Sequence, residues 1–258
     1  MSQNSSRTVV PFPGSHSIEV GGRVIALRPD GRLENLADWS QEVAEILAVR
    51  DGVNLLAQHW KIIHAMRQYY AEFNVSPVKK LLKRALKEAG HAALSSDAAL
   101  DELFPGGVLV QGSRIAGVPE PHLDAELERA TCRGRTAAAA DAGHFTGEFQ
   151  YQGKSFAVSS TGNLLELHRW SPELAEFMAG KEGIKLGADH WEVLNFLRAF
   201  YFEFGITPMV KILMKHMAEE VGADRASREH LYKLFPKGPS RQGSRIAGLP
   251  EPQGCIDD

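Results

Sequence analysis

Apolar and polar positions along the chain predict the same series of elements twice. In the first half, apolar residues alternate in RVIALRPDGRLENL (23–36), which predicts a β-hairpin that turns at PDG (29–31). Apolar residues at helical spacing then predict a short helix and a longer one over about 59–73. The second half has the same order, with a hairpin in KSFAVSSTGNLLEL (154–167) and a long helix over about 190–204.

Local signals indicate where the predicted helices begin and end. Ser40 and Ser171 are suited to cap the first helix of each half. Ser76 and Thr207, each followed by proline, are interpreted as caps of the helix that follows the long one. Two helices joined by so short a turn form a helix-turn-helix-like hairpin. A last short helix ends at the LFP motif of each half, where an extended arm is predicted to begin.

The chain aligns on itself when it is shifted by 131 positions, which places Gly22 on Gly153. The register then holds without a gap for 100 pairs, of which about 40 are identical. A period this long indicates two copies of a whole domain rather than a solenoid of short units. The predicted domains are residues 20–124 and 150–258, joined by a linker over 125–149 that is rich in Ala, Arg, Gly and Thr.

Composition narrows the class of protein. The 258 residues carry a net charge of −3, so no overall basic field favours nucleic acid or anionic lipid. No apolar run approaches the roughly 20 residues of a membrane span, and the amino terminus lacks the apolar core of a secretory signal. We therefore expect a cytoplasmic protein. Its two cysteines, Cys132 and Cys255, have no partner at CxxC spacing, and no HExxH pair occurs, so neither metal nor cofactor is expected.

The end of the chain, IAGLPEPQGCIDD, has the composition of a semi-rigid arm. Pro250 and Pro252 fix their φ angles and favour an extended course. Gly248 and Gly254 on either side permit bending. The pattern predicts an arm that holds Cys255 away from the globular part, where another macromolecule can reach the thiol.

Four motifs of the second half, HWEV, YFEFGITP, LFPKGP and IAGLPEPQGC, resemble the DsrC/TusE family of sulfur-carrier proteins. The resemblance covers nearly all of that half, and the first half has the same framework with a weaker tail. It implies a mainly α fold with a short N-terminal β-hairpin per domain (α+β), in two tandem helix-turn-helix-like domains with extended C-terminal arms. It also implies that Cys255 accepts a persulfide sulfur and passes it to a partner, as a carrier rather than a stand-alone enzyme.

The chain departs from the family pattern at several positions. Two-cysteine members have a second arm cysteine, whose place is taken here by Ser244 and, in the first half, by Ser113. The resemblance is therefore to the one-cysteine, TusE-like type. In the first half Asp124 stands where Cys255 stands in the second, so that copy is interpreted as a degenerate partner domain. Cys132, in the predicted linker, is interpreted as incidental.

The resemblance also implies partners. They would be donor and acceptor proteins of a relay, such as TusBCD-like or sulfite-reductase-like complexes, serving tRNA 2-thiouridine synthesis or sulfur oxidation. Asp257 and Asp258 lie beside the thiol and disfavour the thiolate. Cationic residues of the arm, above all Arg245, are therefore candidates to steer the partner or the persulfide.

Regulation or scaffolding is the alternative function, with nucleic-acid binding through the helix-turn-helix-like hairpin as one form of it. The first half offers a basic helix, SPVKKLLKRALKEAG (76–90). The matching helix of the second half, TPMVKILMKHMAEE (207–220), is much less basic. Since the whole chain is also slightly acidic, nucleic-acid binding is disfavoured.

Overall fold

The computed structural model describes residues 16–121 and 147–252, which we call repeat one and repeat two. The chain divides into two compact units that follow these ranges closely, and each repeat is described separately. Each repeat is mainly helical and begins with a short β-hairpin, which confirms the predicted fold class. The first strand of repeat two starts at Gly147, inside the range predicted as the linker. Residues 125–146 of that range lie outside the described residues.

Each hairpin is a two-stranded antiparallel sheet that closes through a two-residue turn. The turns are Gly21-Gly22, with φ of 55° and 82°, and Gln152-Gly153, with φ of 49° and 72°. Positive φ at both central residues matches the right-handed twist of the paired strands. The strands are β1 (Ser17–Val20), β2 (Arg23–Ala26), β3 (Gly147–Tyr151) and β4 (Lys154–Val158).

The hairpin predicted across PDG (29–31) is wrong, and so is its counterpart in repeat two. Strand β2 pairs with the preceding strand β1 rather than with the residues after PDG, because Gly21 and Gly22 supply the tighter turn. After PDG the chain does turn, but it forms only an isolated bridge between Leu27 and Leu33. In repeat two, Val158 and Leu164 form the same kind of bridge.

Helices form the rest of each repeat. The long helices were predicted over 59–73 and 190–204, and the structure confirms them with slightly earlier starts. No helix within residues 16–121 and 147–252 is long and apolar enough to cross a membrane. In repeat one the helices are α1 (Gln41–Arg50), α2 (Ala57–Phe73), α3 (Lys79–Glu88), α4 (Asp97–Leu103) and, after a π-helical turn at Val108–Gly112, α5 (Ser113–Ile115). In repeat two they are α6 (Pro172–Lys181), α7 (Ala188–Phe204), α8 (Val210–Val221), α9 (Arg228–Leu234) and α10 (Pro239–Ile246).

Serine caps begin the first helix of each repeat, as predicted. The Ser40 hydroxyl accepts a hydrogen bond from the Val43 N–H at 3.2 Å, and Ser171 accepts one from the Leu174 N–H at 3.2 Å. In repeat two Pro172 also occupies the first turn, where no N–H is needed. These caps fix the point at which the chain leaves the hairpin and enters the helical part of each repeat.

The caps predicted at Ser76 and Thr207 are wrong. Helices α3 and α8 begin later, after Val78 and Met209, and neither of these residues makes a side-chain cap. The Thr207 hydroxyl instead donates a hydrogen bond to the Pro250 carbonyl. Since that partner is 43 residues away in sequence, local pattern could not reveal it.

The arm of each repeat begins inside its core. In repeat one Ile115, Ala116 and Val118 belong to the same buried apolar cluster as the hairpin and helices α1 to α4. In repeat two Ile246 and Leu249 are fully buried. The arms are therefore packed parts of their domains over these residues, which determines how the cysteine of repeat two is presented.

Candidate functional site at the C-terminal arm

The arm of repeat two starts as a helix. An extended course from the LFP motif onward was predicted, and for residues 239–246 this is wrong. Helix α10 follows Gly238, whose φ is 103°, and it has Pro239 in its first turn. Its Gln242 and Ser244 side chains are buried. Only after Ala247 does the described chain continue without helix, as far as residue 252.

Gly248 lies in the turn that follows α10, and it also permits a close approach of the backbone to a side chain. Its φ is +66°, a conformation that side-chain-bearing residues rarely adopt. A Cβ atom placed there would lie 2.3 Å from Cδ1 of Trp170. In repeat one Gly117 has the same relation to Trp39, also at 2.3 Å. The glycine therefore lets the arm backbone lie directly against a tryptophan ring.

Two side chains hold the arm where α10 ends. The Trp170 indole N–H donates to the Ile246 carbonyl at 2.9 Å, and Arg198 Nη1 donates to the Ala247 carbonyl at 2.7 Å. The Arg198 guanidinium also lies over the Trp170 ring, 3.7 Å from its centroid. Burial lowers the pKa of Arg198 from its usual value. A positive charge beside the C-terminal carbonyl groups of α10 stabilises that end of the helix.

Two further side chains hold the arm beyond Gly248. Asn163 Nδ2 donates to the Leu249 carbonyl at 2.8 Å, and the Thr207 hydroxyl donates to the Pro250 carbonyl at 2.9 Å. We call the four donors Trp170, Arg198, Asn163 and Thr207 the arm clasp. They come from different parts of repeat two, so the clasp ties the arm to the whole domain.

Arg245 anchors the arm helix to the end of α6. Its Nη1 donates to Oε1 of Glu182, while Oε2 of the same carboxylate accepts from Lys237 Nζ at 2.9 Å and from Gln242 Nε2 at 3.3 Å. The Glu182 side chain is only 14% exposed. Burial acts to raise the pKa of Glu182, but hydrogen bonds from Lys237 and Arg245 outweigh it and hold that pKa below its usual value. A role of Arg245 toward a partner stays a prediction.

Acid is expected to affect the two anchors in opposite directions. The pKa of Glu182 is lower in the folded than in the unfolded chain. Its carboxylate therefore adds fully to the free energy of unfolding of repeat two above the usual pKa of 4.5, and this stabilisation is lost as pH falls through the folded pKa. In repeat one the counterpart is Asp51, paired with Arg114 at 2.9 Å. Burial raises the pKa of Asp51 above 3.8, although Arg114 opposes the shift, so protonating Asp51 favours the fold.

The measurement is the stability of each repeat between about pH 6 and about pH 3, which hydrogen exchange in peptides of each repeat monitors separately. Glu182→Gln should flatten the pH dependence of repeat two. The matched variant Asp51→Asn should make repeat one lose stability more steeply with acid. An unchanged slope in Glu182→Gln would contradict the role given to this carboxylate.

The remaining predicted site residues lie at or beyond the end of the arm. The Pro250 carbonyl is held by the clasp, and Pro252 is buried. Between them Glu251 lies 3.7 Å from Arg241, in a partly exposed pair. Gly254 and Cys255 lie outside the described residues, and so does Cys132.

Sequence reasoning identified the residues of the arm but missed those that hold it. Trp170, Arg198 and Asn163 were not among the predicted site residues, and Thr207 was predicted only as a helix cap. The signal that could have found them is the repeat itself, since Trp39 and Arg67 make the corresponding bonds to Ile115 and Ala116 in repeat one.

The comparison with protein families defines the class of this chain. The sequence model of the family described as "DsrC like protein" matches it twice, at residues 19–123 and 150–256. The chain therefore belongs to the DsrC-like family and contains two copies of its domain.

Similar proteins include small single-domain relatives. Sulfurtransferase TusE of Salmonella typhimurium (strain LT2) is 46% identical over 106 residues, covering 41% of this chain and 97% of the relative. Sulfurtransferase TusE of Escherichia coli (strain K12) is 44% identical over 106 residues, with the same coverage of 41% and 97%. These relatives are thus about the length of one repeat.

Solved structures of DsrC proteins are also similar to this chain. The NMR structure of Allochromatium vinosum DsrC has 40% identity and a TM-score of 0.39, and the match covers 42% of this chain and 97% of that one. The crystal structure of the oxidised γ-subunit of dissimilatory sulfite reductase (DsrC) from Archaeoglobus fulgidus has 36% identity and a TM-score of 0.39. That match covers 43% of this chain and all of the other, 100%.

Proposed function

We propose that this chain is a sulfur carrier in a sulfur-relay system and that Cys255 carries the sulfur. The observation that supports this most directly is the cysteine's place in the arm. In sequence it follows Pro250, which the clasp holds, by five residues, in a domain whose relatives are named sulfurtransferases. Repeat one has the same packed arm but Asp124 at the matching position, so only repeat two has the required thiol.

The transfer needs no cofactor. The Cys255 thiolate attacks the outer sulfur of a donor persulfide, and the sulfur–sulfur bond of the donor breaks as a new one forms. The donor leaves as a thiolate and takes up the proton released by Cys255, so nothing is oxidised or reduced overall. A second attack, by the thiolate of an acceptor on the outer sulfur of the Cys255 persulfide, passes the sulfur on.

The partners are donor and acceptor proteins of the relay. The name sulfurtransferase, which the TusE relatives carry, favours a sulfur relay. We propose one of two settings for it, a TusBCD-like complex acting in tRNA 2-thiouridine synthesis or a sulfite-reductase-like complex acting in sulfur oxidation. The absence of a second arm cysteine, with Ser244 buried at its place, favours the first. We propose that the protein acts in the cytoplasm, where a free thiol stays reduced.

Contacts in repeat one weigh against nucleic-acid binding. The basic helix α3 faces acidic residues of α4. Lys79 Nζ lies 3.1 Å from both Asp97 and Asp101, and Lys83 Nζ lies 2.8 Å from Asp97. These carboxylates neutralise a large part of the basic stripe that suggested a DNA contact. No relative reported above is named for nucleic-acid binding, and we retain the carrier function.

The test is sulfur loading of the purified full-length chain. The chain is incubated with a cysteine desulfurase and cysteine as the source of persulfide, and its intact mass is measured without reductant. The expected result is a gain of one sulfur, which peptide mapping places on the peptide containing Cys255. Loading that maps to Cys132, or no loading at all, would refute the proposal.

A further inference from the structure

The two arms differ in one buried contact. Position 32 of repeat one corresponds to position 163 of repeat two, where arginine is replaced by asparagine. Arg32 is only 7% exposed, and its guanidinium points into the arm. It donates to the Ser113 hydroxyl (2.9 Å), the Val118 carbonyl (3.0 Å), the Val110 carbonyl (3.0 Å) and the Glu120 carboxylate (3.0 Å).

Asn163 makes far fewer of these contacts. It reaches the Leu249 carbonyl at 2.8 Å and the Ser244 hydroxyl at the long distance of 3.5 Å. Arg32 Nε also lies 3.4 Å from Asp30, which is outside the arm and is replaced in repeat two by Thr161. Repeat two nevertheless keeps acceptors equivalent to the four arm acceptors that Arg32 uses. These are the Ser244 hydroxyl, the Leu249 carbonyl, the Arg241 carbonyl and the Glu251 carboxylate, in the order of the repeat-one partners above.

Charge makes the difference larger. In repeat one Glu120 of the arm forms an ion pair with the buried Arg32 guanidinium. When this arm separates from its domain, a charge-assisted hydrogen bond is broken in addition to the neutral ones. Burial lowers the pKa of Arg32, and Glu120 opposes that shift. In repeat two the matching position holds the neutral Asn163, and Glu251 lies 3.7 Å from Arg241, whose side chain is 45% exposed. Exposed pairs of this kind contribute little.

One contact acts in the opposite direction. The Thr207 bond to Pro250 has no equivalent among the described residues of repeat one, where the hydroxyl of the matching Ser76 has no hydrogen-bond partner. That is one neutral bond against several bonds of a buried guanidinium. The remaining clasp bonds are the same in both repeats, so Arg32 decides the balance.

We propose that Arg32 and Asn163 are positioning residues that set how readily each repeat releases its arm. Arg32 locks arm one, residues 113–121, onto its domain. Asn163 leaves arm two, residues 244–252, able to open. Neither residue takes part in sulfur chemistry; each acts through the backbone of the arm. The purpose of the opening, presentation of Cys255 to a partner, rests on the proposed function.

The two arms provide a matched experiment within one molecule. Arm one reads SRIAGVPEP and arm two SRIAGLPEP, so their intrinsic exchange rates are nearly equal and their peptides differ in mass. Hydrogen exchange with mass spectrometry on the full-length chain should show arm one exchanging at least about tenfold more slowly than arm two. The amides to follow are those of Val118 and Leu249, which bond to the Ser113 and Ser244 carbonyls.

Exchanging the two residues should exchange the behaviour of the arms. Arg32→Asn should raise the exchange of arm one to the level of arm two, whereas Asn163→Arg should slow arm two. Glu251→Gln added to Asn163→Arg should reverse the slowing, because the counter-ion of the new cation is then missing. A merely structural effect of Asn163→Arg would not be reversed in this way.

Peptides from α2 and α7 serve as controls for folding. If Arg32→Asn accelerates exchange throughout repeat one, Asn163→Arg and its reversal by Glu251→Gln decide the matter. Equal exchange of the two arms in the unmodified chain, or no response of arm two to Asn163→Arg, would overturn the inference. Because only backbone exchange is measured, a failure of Cys255 to accept sulfur would count against the proposed function alone.

Discussion

Replacement of Cys255 with serine is expected to abolish sulfur loading of this chain. A serine hydroxyl is not ionised near neutral pH and cannot form a sulfur–sulfur bond, whereas a cysteine thiol with a pKa of about 8.5 is partly thiolate. The measurement is intact mass after incubation with a persulfide source, where the unmodified chain gains one sulfur and Cys255→Ser gains none. The loss is complete rather than partial, because repeat one has Asp124 at the matching position.

Cys132→Ser is the matched control, and it should load like the unmodified chain.

The charges beside the thiol give a second check. Asp257 and Asp258 disfavour the thiolate, so loading should accelerate as pH rises, and neutralising both as asparagine should move this acceleration to lower pH. If Cys255→Ser loads normally, or if loading disappears in Cys132→Ser, the assignment of the carrier thiol is wrong.

Gly248→Ala is expected to destabilise repeat two by about 3–5 kcal/mol, since it combines backbone strain with overpacking. The alanine would have to adopt a φ of +66°, and its Cβ would meet the Trp170 ring at 2.3 Å. Relief requires the ring to move or the arm to lift, and either change breaks the indole bond to the Ile246 carbonyl. Urea unfolding, read by pulsed hydrogen exchange in peptides of α7, measures the effect on repeat two alone.

Two glycines separate the causes of this destabilisation. Gly183 has a similar φ of +78°, and a Cβ atom placed there would meet nothing within 4 Å. Gly183→Ala should therefore show the strain alone, about 1 kcal/mol. Gly117→Ala should repeat the large effect in repeat one, against Trp39. Equal effects of Gly248→Ala and Gly183→Ala would show that the tryptophan contact is unimportant.

The sequence predicted the fold where local chemistry determines it. Ser40 and Ser171 cap the helices that they were expected to cap, because an N-cap bond joins residues three apart. The hairpin turn was placed at PDG (29–31) instead of Gly21-Gly22, because both are good turn sequences and only pairing of whole strands decides between them. The helix in the arm was missed because QGSRIAG contains two glycines and shows no apolar period.

The candidate site was predicted only in part, for the same reason. The arm residues Pro250 and Pro252 could be read from the motif, but Thr207 and Asn163 bond to it across 43 and 86 residues. Such contacts depend on how the helices pack, and no local pattern contains that information. Arg245 was a candidate to steer a partner or the persulfide, and that role stays a prediction. Its bond to Glu182, 63 residues away in sequence, was invisible to motif reasoning.

The arm clasp also limits how far the chain beyond it can reach. With Pro250 seated, the five residues from there to Cys255 span at most about 18 Å, because an extended chain advances about 3.3–3.6 Å per residue. Once the arm is free beyond Ile246, nine residues extend that maximum to about 32 Å. If Cys255 carries the sulfur, as proposed, a partner with its reactive sulfur in a shallow cleft would be served by the seated arm, and a deeply recessed sulfur only after opening. The depth of the cleft would then be a criterion for choosing among partners.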